Sequence, residues 1–244
     1  MANLVDRDGR TGNNLIDSLR PTERALLASK LTSWHGDVGK VIHSPGQSVE
    51  WAYFPLDRAM VSYRVGFDDG REVETALIGR EGAVGGIVSR GHLPAFALAV
   101  VQFDGCFGRI SLSELEALKT REPRIAALFN RYADCLVAQI FQAGACNASH
   151  TIEQRAAKWL IAACDRTGSD ELSLTQDQLA GLLGVGRSYT TRVIGRFKAE
   201  GVVETRRGRL TVRDRDRLAA AACDCDHAVR RHFEMVLRGV YPDP

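Results

Sequence analysis

Residues 172–213 read LSLTQDQLAGLLGVGRSYTTRVIGRFKAEGVVETRRGRLTVR, and the order of signals in this stretch decides the fold. Thr175 is placed to cap a helix, and Gln178, three residues on, completes a capping box. The helix that follows buries Leu179, Leu182 and Leu183. Ala180 is small enough for a second helix to approach closely, and Gly184 permits a sharp turn. The second helix starts near Gly186 and runs to about Glu200, with Val193, Ile194 and Phe197 as its apolar stripe. Its other face presents Arg187, Ser188, Thr191, Arg192 and Lys198. Arg187 and Thr191 lie four apart, as do Ser188 and Arg192, so they line one exposed ridge on the N-terminal half of the helix. After Gly201, Val202–Arg206 and Arg209–Val212 read as two strands around Arg207-Gly208.

This order of helix, glycine turn, basic helix and hairpin is that of a winged helix-turn-helix. A ridge at the start of the second helix is what enters the major groove of DNA. Arginine suits the task because its planar fork bonds both acceptors of a guanine edge. Lys198, further along, is placed for phosphate, as are Arg206, Arg207 and Arg209 on the wing. Thr175, Gln176 and Tyr189 complete the candidate DNA-contacting set. Two packed helices alone would deserve little weight; the cap, small residue, turn, ridge and wing in sequence carry the reading.

Charge distribution agrees. The 244 residues carry 32 Lys and Arg against 30 Asp and Glu, a net charge of +2. Residues 186–213 hold eight Lys or Arg and two Glu, a local balance of +6 that leaves −4 for the rest. The chain is therefore no general polycation but carries one basic module.

Upstream, residues 152–165 (IEQRAAKWLIAACD) form an amphipathic helix with Ala156, Trp159, Leu160 and Ala163 inward. Fourteen of the 23 glycines fall in residues 1–108 and none in 109–143. In the glycine-rich region Val61, Tyr63, Val65 and Phe67 alternate with small or polar residues, a turn follows at 68–71, and alternation resumes at Val73. We expect a compact all-β domain over about 38–110, preceded by helical residues 14–33 and a mobile polar arm, 1–13. The glycine-free stretch predicts a long helix from Pro123 to about 145. Ile125, Leu128, Tyr132, Cys135, Leu136 and Gln139 share its apolar face, which serves either as packing against the β-domain or as a seam between two copies. Residues 146–151 (CNASHT) read as a hinge, and the tail after Leu218 as an extra helix. The domain expectation is an α+β chain divided 1–13, 14–110, 111–146, 147–213 and 214–244.

QRAAKWLIAACD, the 172–213 stretch and its RRGRLTV wing resemble the DNA-binding domain of the CRP/FNR superfamily of bacterial transcription regulators. The β-region and long helix resemble that family's cyclic-nucleotide-binding-like jelly-roll barrel and dimerisation helix. The resemblance implies a homodimer reading a palindromic operator in double-stranded DNA, with RNA polymerase as a further partner. Arg187 and Arg192 fall where the family places base-reading residues; Ser188 stands where many relatives carry glutamate, Gly186 where a serine cap is common, and Thr190 where Val or Ile is frequent. Cyclic-nucleotide binders of the family use a Gly-Glu pair for the ribose and an Arg-Ser or Arg-Thr pair for the phosphate. Here Gly85-Gly86 and Pro94-Ala95-Phe96-Ala97 occupy those places, and Arg90 does not fit the pattern. A buried phosphate would lack its partner, so cyclic AMP and cyclic GMP are not the expected effectors.

No cofactor or metal is expected. The family's N-terminal cysteine cluster for iron and sulfur is absent, and lone histidines (His35, His43, His92, His150) are more often surface or core residues than haem ligands. Six cysteines contain one close pair, Cys223-Asp-Cys225, and two thiols alone do not complete a metal shell. No nucleophile motif or phosphate loop suggests an enzyme. A small-molecule receptor whose winged domain docks a protein is the rival reading. No run of about 18 apolar residues suggests a membrane span, no secretory leader is evident, and a cytoplasmic location is expected.

Overall fold

The computed structural model describes residues 4–87, 91 and 93–242. In chain order the elements are α1 (Asn14–Asp17), α2 (Pro21–Ala28), β1 (Thr32–Gly36), β2 (Val41–His43), β3 (Trp51–Pro55), β4 (Met60–Gly66), β5 (Glu72–Ile78), β6 (Leu98–Phe103), β7 (Gly105–Ser111), α3 (Leu112–Arg121) and α4 (Pro123–Ser149). They continue as α5 (Ile152–Thr167), β8 (Glu171–Leu172), α6 (Gln176–Leu183), α7 (Arg187–Ala199), β9 (Val203–Arg206), β10 (Arg209–Val212), α8 (Arg215–Ala221) and α9 (Cys225–Val236).

The N-terminal strands form two antiparallel sheets, β1-β7-β3 and β2-β6-β4-β5. Tyr53, Val61, Ile78, Val101 and Phe107 pack between them. Neither sheet closes on itself, so the domain is a jelly-roll-like sandwich rather than a closed barrel. The alternation read along β4 is broken at Ser62, which is wholly buried because its hydroxyl bonds Glu74 on β5. The segment before α1 is docked rather than a free arm. Asn13 is buried and donates from Nδ2 to the carbonyls of Pro55 and Gly82, both at 2.9 Å.

Helix α4 is 27 residues long, about 40 Å at 1.5 Å per residue. Proline occupies its first turn, where a missing N–H costs nothing. It continues through Ser149, so the expected hinge at 146–151 contracts to His150, the C-cap of α4, and Thr151, which caps α5.

The face of α4 offered as a dimer seam is used inside the chain. Ile125, Leu128, Tyr132 and Cys135 are buried in one cluster with Leu15, Phe54 and Ile110 of the sandwich side and with Val229 and Phe233 of α9. Gln139 donates to the Leu77 carbonyl at 3.0 Å, and Leu136 packs on the sandwich core. That face is not a free seam, because the C-terminal tail supplies α9, which covers it. The Tyr132 hydroxyl reaches the Ala83 carbonyl at 3.2 Å, and residue 82 must be glycine because a Cβ there would strike the Tyr132 ring.

The C-terminal domain has its own core of Trp159, Leu160, Leu179, Leu182, Ile194, Phe197 and Leu210, and this cluster extends to Met60, Leu77 and Phe103 of the sandwich. The two halves therefore share buried apolar surface. Gly184 lies so close to Val73 on β5 that an added Cβ would stand 2.8 Å from it.

Candidate nucleic-acid interface

The helix-turn-helix is built by local rules. Thr175 Oγ1 accepts from the Gln178 amide at 3.1 Å, and Gln178 Oε1 accepts from the Thr175 amide at 2.8 Å, which is the expected capping box. Gly184 ends α6 in the left-handed region at φ 66°, which only glycine adopts without strain. Gly186 starts α7 without a side-chain cap. Ile194 and Phe197 are buried; Val193 is only partly so. Thr190 is buried as well, and its hydroxyl has no hydrogen-bond partner, a small cost at a position that an apolar residue would fill better.

Arg187, Ser188, Tyr189, Thr191, Arg192 and Lys198 are all exposed. Arg187 Nε lies 3.0 Å from Asp177 Oδ1 on α6. Thr191 Oγ1 donates to Gln176 Oε1 at 2.9 Å, tying the two helices at their solvent edge. The Arg192 guanidinium sits over the Tyr189 ring, 5.3 Å from its centroid. The expected wing forms, with Arg206 paired to Arg209 across β9–β10 and Arg207 and Gly208 at its tip. Arg206 bonds Glu204 at 3.0 Å and Arg209 bonds Glu171 at 2.6 Å; Arg207 is exposed. Sequence patterning found the basic residues but not Asp177 and Glu171 as their partners, because those contacts from α6 and β8 are set by tertiary placement.

The sandwich holds a second candidate site, an open cavity of about 430 Å³. It is lined by Tyr63, Gly85, Gly86, Phe96, Leu136 and Ile140 among others, with no Lys or Arg among the described residues. Gly85 and Gly86, and Pro94 to Ala97, do line it, where the sequence placed them. Burial lowers the pKa of His43, which keeps it neutral, and pushes the Tyr63 phenol up to about 12; Tyr63 accepts from the Gly85 amide at 3.2 Å. Among the described residues the lining is thus uncharged near neutral pH. Arg90 and His92 lie outside the described residues. His35 is exposed beside Asp37, and His150 lies among cysteines rather than in this cavity.

The architecture is thus a sandwich, a long helix and a winged helix-turn-helix whose second helix carries an exposed basic ridge. Residues 154–221 match the Crp-like helix-turn-helix domain. No curated protein matches the sequence. Among solved structures, FixK2 from Bradyrhizobium japonicum aligns with a TM-score of 0.67 at 17% identity, covering 79% of this chain and 98% of that one. The c-di-GMP responsive global regulator CLP of Xanthomonas campestris aligns at 0.64 and 16% identity, over 79% and 99% of the two chains. A CRP-family transcriptional regulator from Thermus thermophilus aligns at 0.64 and 16%, over 78% and 97%. The chain therefore carries a Crp-like helix-turn-helix domain and shares the fold of these solved regulators. No helix among the described residues is long and apolar enough to cross a membrane.

Proposed function

We propose that the chain is a homodimeric transcription regulator that reads a palindromic operator and is not controlled by cyclic AMP. The observation that carries the reading is the exposed ridge of Arg187, Ser188, Thr191 and Arg192 on the first turns of α7, backed by a buried face that fixes the helix on α6. In each half-site Arg187 and Arg192 contact guanine edges, Thr175, Gln176, Tyr189 and Lys198 flank them, and Arg206, Arg207 and Arg209 meet phosphate. Half-site centres stand about one helical turn apart. Residues 14–110 act as sensor, 111–146 as dimerisation region and 147–213 as DNA-binding domain, while 214–244 braces the first two.

The dimer forms through the solvent face of α4. Asn130, Ala133, Val137, Ile140 and Gly144 recur at alternating spacings of three and four, the seam of a two-stranded coiled coil. Val137, Ile140 and, beside them, Phe141 are exposed apolar side chains in the single chain, Phe141 by 74%. Leu136 and Ile140 also line the sandwich cavity, so an occupant there touches the dimer helix. That occupant is apolar, because the described lining is predominantly apolar and offers a phosphate no charged partner for its lost water. Cytoplasmic action and contact with RNA polymerase belong to the same reading.

Selection of bound fragments from the source genome tests it. The expected result is an inverted repeat protected by a dimer, with no change on adding cyclic AMP and no calorimetric heat from that nucleotide. Enrichment of no sequence at all, or micromolar binding of cyclic AMP, would overturn the respective part.

A further inference from the structure

Four metal-binding side chains meet where α4 ends and the C-terminal extension begins. Cys146 and His150 stand four apart at the end of α4, and Cys223 and Cys225 flank Asp224 where α9 begins after α8. Their ligand atoms all lie within 4.8 Å of one another, and the three thiols are buried. The Cys146 and Cys223 sulfurs are 3.6 Å apart, and Cys225 Sγ lies 3.5 Å from His150 Nδ1. The four side chains thus converge on one point although the sequence separates Cys146 from Cys223 by 77 positions.

The spacing matches a single tetrahedral ion. Bonds of about 2.3 Å to sulfur and 2.0–2.1 Å to nitrogen place tetrahedral ligands about 3.8 Å apart for two sulfurs and about 3.5 Å for sulfur and nitrogen. The surroundings suit thiolates. Gln142 Nε2 points at Cys225 Sγ from 3.2 Å and Lys158 Nζ at Cys146 Sγ from 3.5 Å. Three thiolates around a divalent cation leave one excess negative charge, which the Lys158 ammonium faces. The sulfurs are unbonded to each other, and a disulfide would need them about 2.05 Å apart. An iron–sulfur cluster needs its ligands spread around several irons, whereas these ligands converge on one centre.

We propose that Cys146, His150, Cys223 and Cys225 bind one Zn2+ ion as a closed structural site. Four protein ligands leave no open position, so the ion's work is to join elements. His150 is the C-cap of α4 and precedes Thr151, the N-cap of α5, so the ion grips the two-residue hinge between the sensor half and the DNA-binding half. It also pins the start of α9, the helix that covers the buried face of α4.

The test is elemental analysis and cobalt spectroscopy on the full chain purified under reducing conditions. One zinc per chain is expected, and Co2+ exchanged into the site should give the intense visible bands of tetrahedral cobalt with thiolate-to-cobalt charge transfer. Cys223→Ser combined with Cys225→Ser should retain less than about a tenth of the metal, whereas Cys106→Ser, at an exposed cysteine remote in sequence, should keep it all. If the double variant fails to fold, the wild-type cobalt spectrum decides alone. A weak octahedral cobalt spectrum, metal-free protein, iron–sulfur absorption, or a Cys146–Cys223 disulfide under these conditions would each overturn the proposal.

Discussion

Arg166 Nε donates to Glu81 Oε1 at 2.8 Å, with the two side chains 2% and 1% exposed, and this bond joins α5 of the helix-turn-helix domain to the loop after β5. Arg166 also reaches the Ala162 carbonyl and the Tyr241 hydroxyl, and Tyr241 in turn donates to Asp226 at 2.8 Å. Sandwich, helix-turn-helix domain and C-terminal tail thus meet in one buried polar network. Removing one member of a buried pair strands the other charge, at a cost of about 3–5 kcal/mol. Arg166→Met is expected to cost that much in urea denaturation, and Arg166→Met with Glu81→Gln markedly less, because the double variant leaves neither charge of the pair behind. A double variant as unstable as the single would show that shape, not charge, holds this junction.

Glu74 crosses the same boundary by another route. Its carboxylate accepts from Trp159 Nε1 on α5 and from Ser62 Oγ on β4, each at 2.7 Å. Burial nevertheless raises its pKa above the ordinary glutamate value of 4.5, overcoming those bonds. The folded state then binds a proton more tightly than the unfolded chain. Its contribution is complete below the unfolded pKa and is lost as pH rises through the folded one. Glu74→Gln removes the charge while keeping an acceptor oxygen for Trp159. Its Tm should equal or exceed that of wild type at neutral pH and should lose part of the decline seen on raising pH from 4.5. An unchanged pH profile would mean that Glu74 does not titrate in this range.

The helix-turn-helix was legible because its signals are local. The Thr175–Gln178 box, the Gly184 turn and the Arg207-Gly208 hairpin each depend on residues within a few positions of one another, and each forms as read. The long helix was legible as a helix, but its partner was not. Periodicity gives the apolar face of α4 without saying what covers it, and Val229 and Phe233, more than 90 positions from Leu128 and Tyr132, settle the matter. The Cys223-Asp-Cys225 pair was visible, whereas Cys146 and His150 join it only through tertiary folding. Glu74 and Glu81 gave no signal, since a buried carboxylate looks in sequence like any other.

The two faces of α4 separate stability from assembly. Ile125→Ala, on the buried face, should destabilise the fold by about 2–5 kcal/mol and leave any dimer intact. Phe141→Glu, on the exposed face, should leave the unfolding transition close to wild type and place a charge at the edge of the proposed seam. Sedimentation equilibrium is expected to show a dimer for wild type and Ile125→Ala and a monomer for Phe141→Glu. Dimers from all three would move the interface off this helix.

The ridge on α7 makes the sharpest distinction. Arg187 is held by Asp177 at 3.0 Å in the free chain, so DNA competes with that carboxylate, while Lys198 lies nearer the C-terminal end of the helix. A bidentate contact to guanine contributes about 1–3 kcal/mol of discrimination. Arg187→Ala should therefore lose about that much affinity for the selected operator and little for random DNA. Asp177→Asn should strengthen both modestly by removing a negative charge near phosphate. Lys198→Ala should weaken operator and random DNA alike and reduce the slope of log K against log salt by about one. Equal losses on both DNAs for Arg187→Ala would make it a phosphate contact and leave Arg192 as the reader.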